Sequence, residues 1–137
     1  MLLKISLKNK RIIFWTITVL ISAFFILSGY MEVTKNPATY PKTLRMGYPP
    51  YFITLLGIAK LIGSAVFLIP RFKRLREWVF AAFTIDVIFA FVSGYNIQSY
   101  NDCIKAVVVF IILMFTYWLF VNIEKKVYHE RLLKTYL

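Results

Sequence analysis

Apolar and polar positions divide the chain into four long runs with almost no charge, separated by short charged segments. Residues 12–30 carry no charge and lie between Lys10-Arg11 and Glu32. Residues 48–69 are interrupted only by Lys60, residues 78–95 only by Asp86, and residues 106–123 by no charge at all. A helix that crosses a bilayer needs about 20 mostly apolar residues. The pattern therefore predicts transmembrane helices at about 12–30, 48–69, 78–95 and 106–123. The connections carry their own signals. Pro49 and Pro50 open the second helix, where a missing N–H costs nothing, and Pro70 ends it before the basic run Arg71, Lys73, Arg74 and Arg76. Asn36-Pro37 reads as a cap followed by a first helical position, and Gly47 as a terminator, which predicts a short amphipathic surface helix at about 37–46. Ser99 or Asn101 is expected to cap the fourth span. The expected fold is an all-α membrane protein, a four-transmembrane-helix bundle in up-down order, forming one domain over residues 1–137.

Composition removes the alternatives. Hydrophobic residues make up 60% of the chain and aromatics 18%, against about 45–50% apolar in ordinary soluble domains. Only 17% of residues are charged, which excludes a disordered chain. The first run could be mistaken for a secretory signal. It is long, however, and heavy with Phe14, Trp15, Phe24 and Phe25. It lacks an A-x-A-like site, and Leu27-Ser28-Gly29 is followed by Tyr30 where a lipid-modified cysteine would stand. It is expected to stay attached.

The net charge of +11 does not mark a nucleic-acid binder, because the cations cluster between apolar runs instead of covering one face. They set orientation. Lys4, Lys8, Lys10 and Arg11, the four cations at 71–76, and Lys125, Lys126, Arg131 and Lys134 make twelve on one side. Lys35, Lys42, Arg45 and Lys105 make four on the other. In loops this short the imbalance places both termini in the cytoplasm. Cys103 then faces the opposite side.

Candidate chemistry is sparse. Cys103 and His129 are each alone, so the chain offers no two-thiol relay and no Cys/His metal spacing. Ser22, Ser28 and Ser93 have no histidine within the spans to act as base, and Gly57-x5-Gly63 lacks the rest of a phosphate loop. No catalytic residue and no metal ligand is assigned. The informative residues are Lys60 and Asp86, each costing about 2.5–3.5 kcal/mol at the centre of a lone span. Their depths match, roughly 15 Å from Pro70 and roughly 12 Å from Trp78 at 1.5 Å per residue, so neighbouring antiparallel helices would bring them together. Each lies on a face of small residues, Gly57 and Ser64 around Lys60, and Ala82, Ala90 and Ser93 around Asp86, which suits close helix packing. Three readings are open: an ion pair that fixes helix register, a polar site that handles a proton or contacts a ligand, or Lys60 snorkelling to an interface with Asp86 protonated and alone. Glu32, at a helix end, reads as a solvated or capping acid, and Glu77, beside Arg74 and Arg76, as one held in a surface ion pair. If the two charges meet inside the bundle, Asp86→Ala is expected to lower stability more than Lys60→Met combined with Asp86→Leu.

Residues 12–95 resemble the small bacterial DoxX-like membrane proteins. The resemblance is carried by Gly47-Tyr48-Pro49, the run from Leu56 to Gly63, Leu68-Ile69-Pro70-Arg71-Phe72, Leu75-Arg76-Glu77-Trp78 and Phe83-Thr84-Ile85-Asp86. It implies a four-helix bundle in the bacterial cytoplasmic membrane and a Lys60–Asp86 pair that matches the family pattern. Members often have glycine where Phe89 stands and Ser-His where Ser93-Gly94 stands. The family is named for membrane subunits linked to thiosulfate–quinone oxidation, and relatives are tied to redox-stress complexes or assembly. Three function classes follow. The shortage of catalytic groups favours an accessory or scaffold protein that binds lipid, a membrane protein partner or a second copy, with no cofactor. The alternatives are a subunit of a quinone-linked oxidoreductase, with Lys60 and Asp86 near a quinone or in a proton path, and a small oligomeric transporter or channel.

Overall fold

A computed structural model describes residues 6–136, which form α1 (Leu7–Val33), α2 (Tyr40–Arg45), α3 (Pro50–Leu68), α4 (Lys73–Asn96) and α5 (Tyr100–Tyr136). Lys4, one of the cations of the N-terminal tail, lies outside the described residues. Helices α1, α3, α4 and α5 are each long and apolar enough to cross a membrane. They match the four apolar runs, but three of them overrun the hydropathy boundaries. Helix α1 takes in Lys8, Lys10, Arg11 and Glu32, α4 starts among the basic residues at Lys73, and α5 continues through the charged tail for 37 residues. Hydropathy marks the stretch that suits lipid. The helix itself runs on until the backbone meets a stop, and the tail from Glu124 to Tyr136 contains neither glycine nor proline.

The stops are identifiable. At the end of α1, Lys35 adopts a left-handed φ of 51°; its N–H donates to the Glu32 carbonyl at 3.3 Å, and the Asn36 N–H to the Met31 carbonyl at 2.9 Å. This is a Schellman closure with a non-glycine residue at the left-handed position. Helix α4 ends the same way, with Gln98 at φ 57° and the Ser99 N–H donating to the Gly94 carbonyl at 2.8 Å. Helix α2 is shorter than its pattern predicts. The Asn36 side-chain oxygen accepts from the Ala38 N–H at 2.9 Å and closes a turn, so the helix begins only at Tyr40. Gly47, at φ 92°, ends that segment, and Pro49 and Pro50 then open α3. Ser99 precedes α5, its hydroxyl on the Asp102 carboxylate and its carbonyl accepting from the Asp102 and Cys103 N–H groups.

Around the bundle the order is α1, α3, α4, α5, with α1 closest to α3 and α4 closest to α5. Residue size explains the first pairing. A Cβ on Gly29 would lie 2.7 Å from the Gly57 carbonyl oxygen, and one on Gly57 would lie 2.7 Å from the Gly29 carbonyl oxygen. The two backbones touch where neither residue has a side chain. A phenylalanine core fills the interior towards the basic end. Phe25 stacks on Phe83 with centroids 3.8 Å apart, Phe67 meets Phe80 and Phe83 edge-on, and Phe120 links Phe80 to Phe14. Such pairs add about 0.5–1.5 kcal/mol each beyond their area burial. Leu20, Ile62, Val92 and Ile111 point outward, as lipid-facing positions do in a membrane bundle.

Candidate binding site

Lys60 is the centre of the charged interior. Its ammonium lies 2.5 Å from Glu32 Oε1, 3.3 Å from Ser28 Oγ and 3.4 Å from Asp86 Oδ2. The side chains of Lys60, Glu32 and Asp86 are 8%, 14% and 15% exposed, so this is a buried cluster and not a rim contact. Three acceptors surround an ammonium that carries three protons. The fold places them by simple register. Glu32 and Lys60 each follow a crossing glycine by three residues, Gly29 and Gly57, and so leave the contact point on the same side of their helices. Glu32 also stands in the last turn of α1, where the helix dipole disfavours a negative charge, and the Lys60 ammonium offsets that penalty.

The structure thus brings Lys60 and Asp86 within ion-pair distance and adds Glu32, which sequence reasoning placed in solvent or at a cap. The signal missed is the Gly29–Gly57 crossing. Because α1 continues to Val33, Glu32 lies inside the bundle and not beyond its end. Around the cluster is a cavity of about 210 Å³ to which all four long helices contribute. Phe24, Phe25 and Val109 supply apolar wall, and Glu32, Lys60 and Asp86 supply the charged part. Met46, at the end of α2, lines it with Asp102 and Lys105 of α5. Lys42 pairs with Asp102, which ties α2 to α5 beside the cavity. Within the cluster, Glu32 Oε2 is buried with no hydrogen-bond partner among the described residues.

The small-residue faces divide. Gly57 and Ser64 are buried in helix packing, and Ser93 accepts or donates a 2.7 Å hydrogen bond with the Tyr48 hydroxyl. Ala82 and Ala90 are exposed, Ala90 on the cavity wall, and the packed face of α4 runs instead through Arg76, Phe80, Phe83, Val87 and Gly94. Large aromatics filling the core from α4 leave its alanines on the outer side. Glu77 is exposed, whereas its neighbour Arg76 is 4% exposed and turned inward. Cys103 is buried against Gly94, its Sγ 3.6 Å from the Phe91 carbonyl oxygen, so its thiol is shielded from reagents on either side.

Comparison with known proteins gives one finding. The model of the DoxX-like family matches residues 16–116, a stretch that takes in Ser28, Glu32, Lys60, Asp86 and Asp102. No curated protein and no solved structure matches the chain. A family match over most of the length, joined to four helices fit to cross a membrane, makes this a multi-pass integral membrane protein that belongs to the DoxX-like family.

Proposed function

We propose that the chain is a membrane accessory protein that binds, without transforming, an amphipathic molecule whose hydrogen-bond-donating head enters the Lys60 cavity. One observation carries this reading: the unpartnered Glu32 Oε2 in a cavity with apolar walls. Burying a carboxylate oxygen without a donor costs about 1–3 kcal/mol or more, which a ligand hydroxyl or ammonium would recover. Lys60 is already engaged by Ser28, Glu32 and Asp86, so the cluster presents acceptors more readily than donors. That favours a hydroxyl- or amine-headed lipid over an acceptor-only head. A partner subunit supplying such a group from its own helix is the scaffold form of the same reading. The proposed setting is the bacterial cytoplasmic membrane, with the basic ends of the helices in the cytoplasm.

A quinone-linked role is the second reading, favoured by the flat Phe24 and Phe25 rings on the same cavity. Its reduced, hydroxyl-bearing form meets the acceptor condition; its oxidised form does not. Native mass spectrometry of the full chain in mild detergent separates these readings. A retained amphiphile or subunit that Glu32→Leu releases supports the proposal, and a retained quinol moves it to the second reading. Protein that carries nothing, or a ligand indifferent to Glu32→Leu, refutes both.

A further inference from the structure

At the basic end, away from the Lys60 cavity, Arg76 is buried to 4% exposure, and its Nε and Nη2 have no hydrogen-bond partner among the described residues. Its guanidinium lies over the Trp15 ring, 4.8 Å from the centroid, and 5.8 Å from that of Phe14. Aromatic faces stabilise a guanidinium from above but leave its in-plane N–H groups unused. Nε–H and Nη2–H form one edge of the guanidinium, the fork that grips two oxygens of an oxyanion. Arg76 lines a cavity of about 230 Å³ with Arg11, Lys73, Arg131 and Glu124. The acid is already taken, since Glu124 pairs with Lys73. Four cations and one engaged carboxylate leave a surplus of positive charge around a buried, unfilled fork.

We propose that this cavity is a phosphate-binding site, with Arg76 as its bidentate anchor and Arg11 and Arg131 as outer cations. A phosphate group supplies two adjacent oxygens for the fork and negative charge for the surplus. A phospholipid headgroup and a free phosphate ion share this chemistry. Basic pockets between membrane helices are a known setting for the former. The site is independent of the Lys60 cavity: α1, α4 and α5 line both, α3 contributes Lys60 only to the latter, and no residue is shared.

The test measures the melting temperature of the full chain in a neutral detergent at constant ionic strength. Titrants are inorganic phosphate, a phosphatidylglycerol, and a diacylglycerol with the same chains but no phosphate. Phosphatidylglycerol should stabilise the protein and diacylglycerol should not. A response to inorganic phosphate alone identifies the free ion as the source and upholds the site. Arg76→Gln should weaken the response about tenfold or more, the loss of two charge-assisted hydrogen bonds. Arg131→Gln, an exposed position, should weaken it about twofold to fivefold without disturbing the fold and serves if Arg76→Gln is unstable. Arg45→Gln, outside the cavity, should leave it unchanged. Equal responses to phosphatidylglycerol and diacylglycerol with none to inorganic phosphate, or titrations unaltered by both Arg76→Gln and Arg131→Gln, would overturn the proposal.

Discussion

Lys60 serves two carboxylates, and this alters what its removal does. With Glu32 at 2.5 Å and Asp86 at 3.4 Å, Asp86→Ala leaves a Lys60–Glu32 pair intact. Lys60→Met combined with Asp86→Leu strands Glu32 among apolar groups. The order expected for an isolated pair is therefore reversed: the double variant should melt lower than Asp86→Ala. Lys60→Met alone should be the worst, costing about 3–5 kcal/mol, because it leaves two carboxylates facing each other. Adding Glu32→Leu to the double variant should recover most of the loss, since a whole buried ion cluster replaced by apolar groups is often close to neutral. Thermal melts of the five proteins decide the matter. A double variant more stable than Asp86→Ala would mean that Glu32 does not bind Lys60.

The crossing of α1 and α3 depends on two residues whose Cβ atoms would have nowhere to go. Gly29→Ala or Gly57→Ala sets a methyl 2.7 Å from a backbone oxygen, and backbone cannot move aside as a side-chain tip can. Each should cost about 1–3 kcal/mol by overpacking and also pull Glu32 away from Lys60. Gly63→Ala meets ring atoms of Phe83 at 3.0 Å, which tilt more readily, so its cost should be smaller. Gly47→Ala meets no atom but a φ of 92°, and should cost about 1 kcal/mol through strain alone. Only the first two should cost less in a Lys60→Met background than in the native chain, because part of their effect runs through the Glu32–Lys60 contact. Additive melting shifts would separate the glycine crossing from the ion cluster.

For the molecule as a whole, the imbalance of cations predicts that the ends of α1 and α5 carrying Lys8, Lys10, Lys125 and Lys126 face the cytoplasm. Cys103 cannot report this, being packed against Gly94. In a Cys103→Ser background, Asn101→Cys, exposed in the first turn of α5, should react with an impermeant maleimide on intact cells, and Lys126→Cys only after lysis. The opposite labelling pattern would invert the bundle in the membrane. The proposed site at Arg76 would then face the outside, and the Lys60 cavity the cytoplasm.

The number of spans, their order, the stops at Pro70 and Gly47 and the suspicion attached to Lys60 and Asp86 were all legible in the sequence. Each is a local property, set by the apolar content of about 20 residues, by a ring or a missing Cβ, or by a charge where lipid should be. Helix ends were legible only in part. Hydropathy falls where lipid gives way to water, while α1 and α4 continue to a Schellman closure and α5 runs through the charged segment to Tyr136. Two assignments belong to the tertiary structure alone. Glu32 joins Lys60 because the backbones cross at Gly29 and Gly57, and Arg76 is buried because the first turn of α4 sets it over Trp15. Both depend on which faces of two helices meet and at what height, and those are decided by the packing of Phe25, Phe83, Phe67 and Phe80 across the whole bundle.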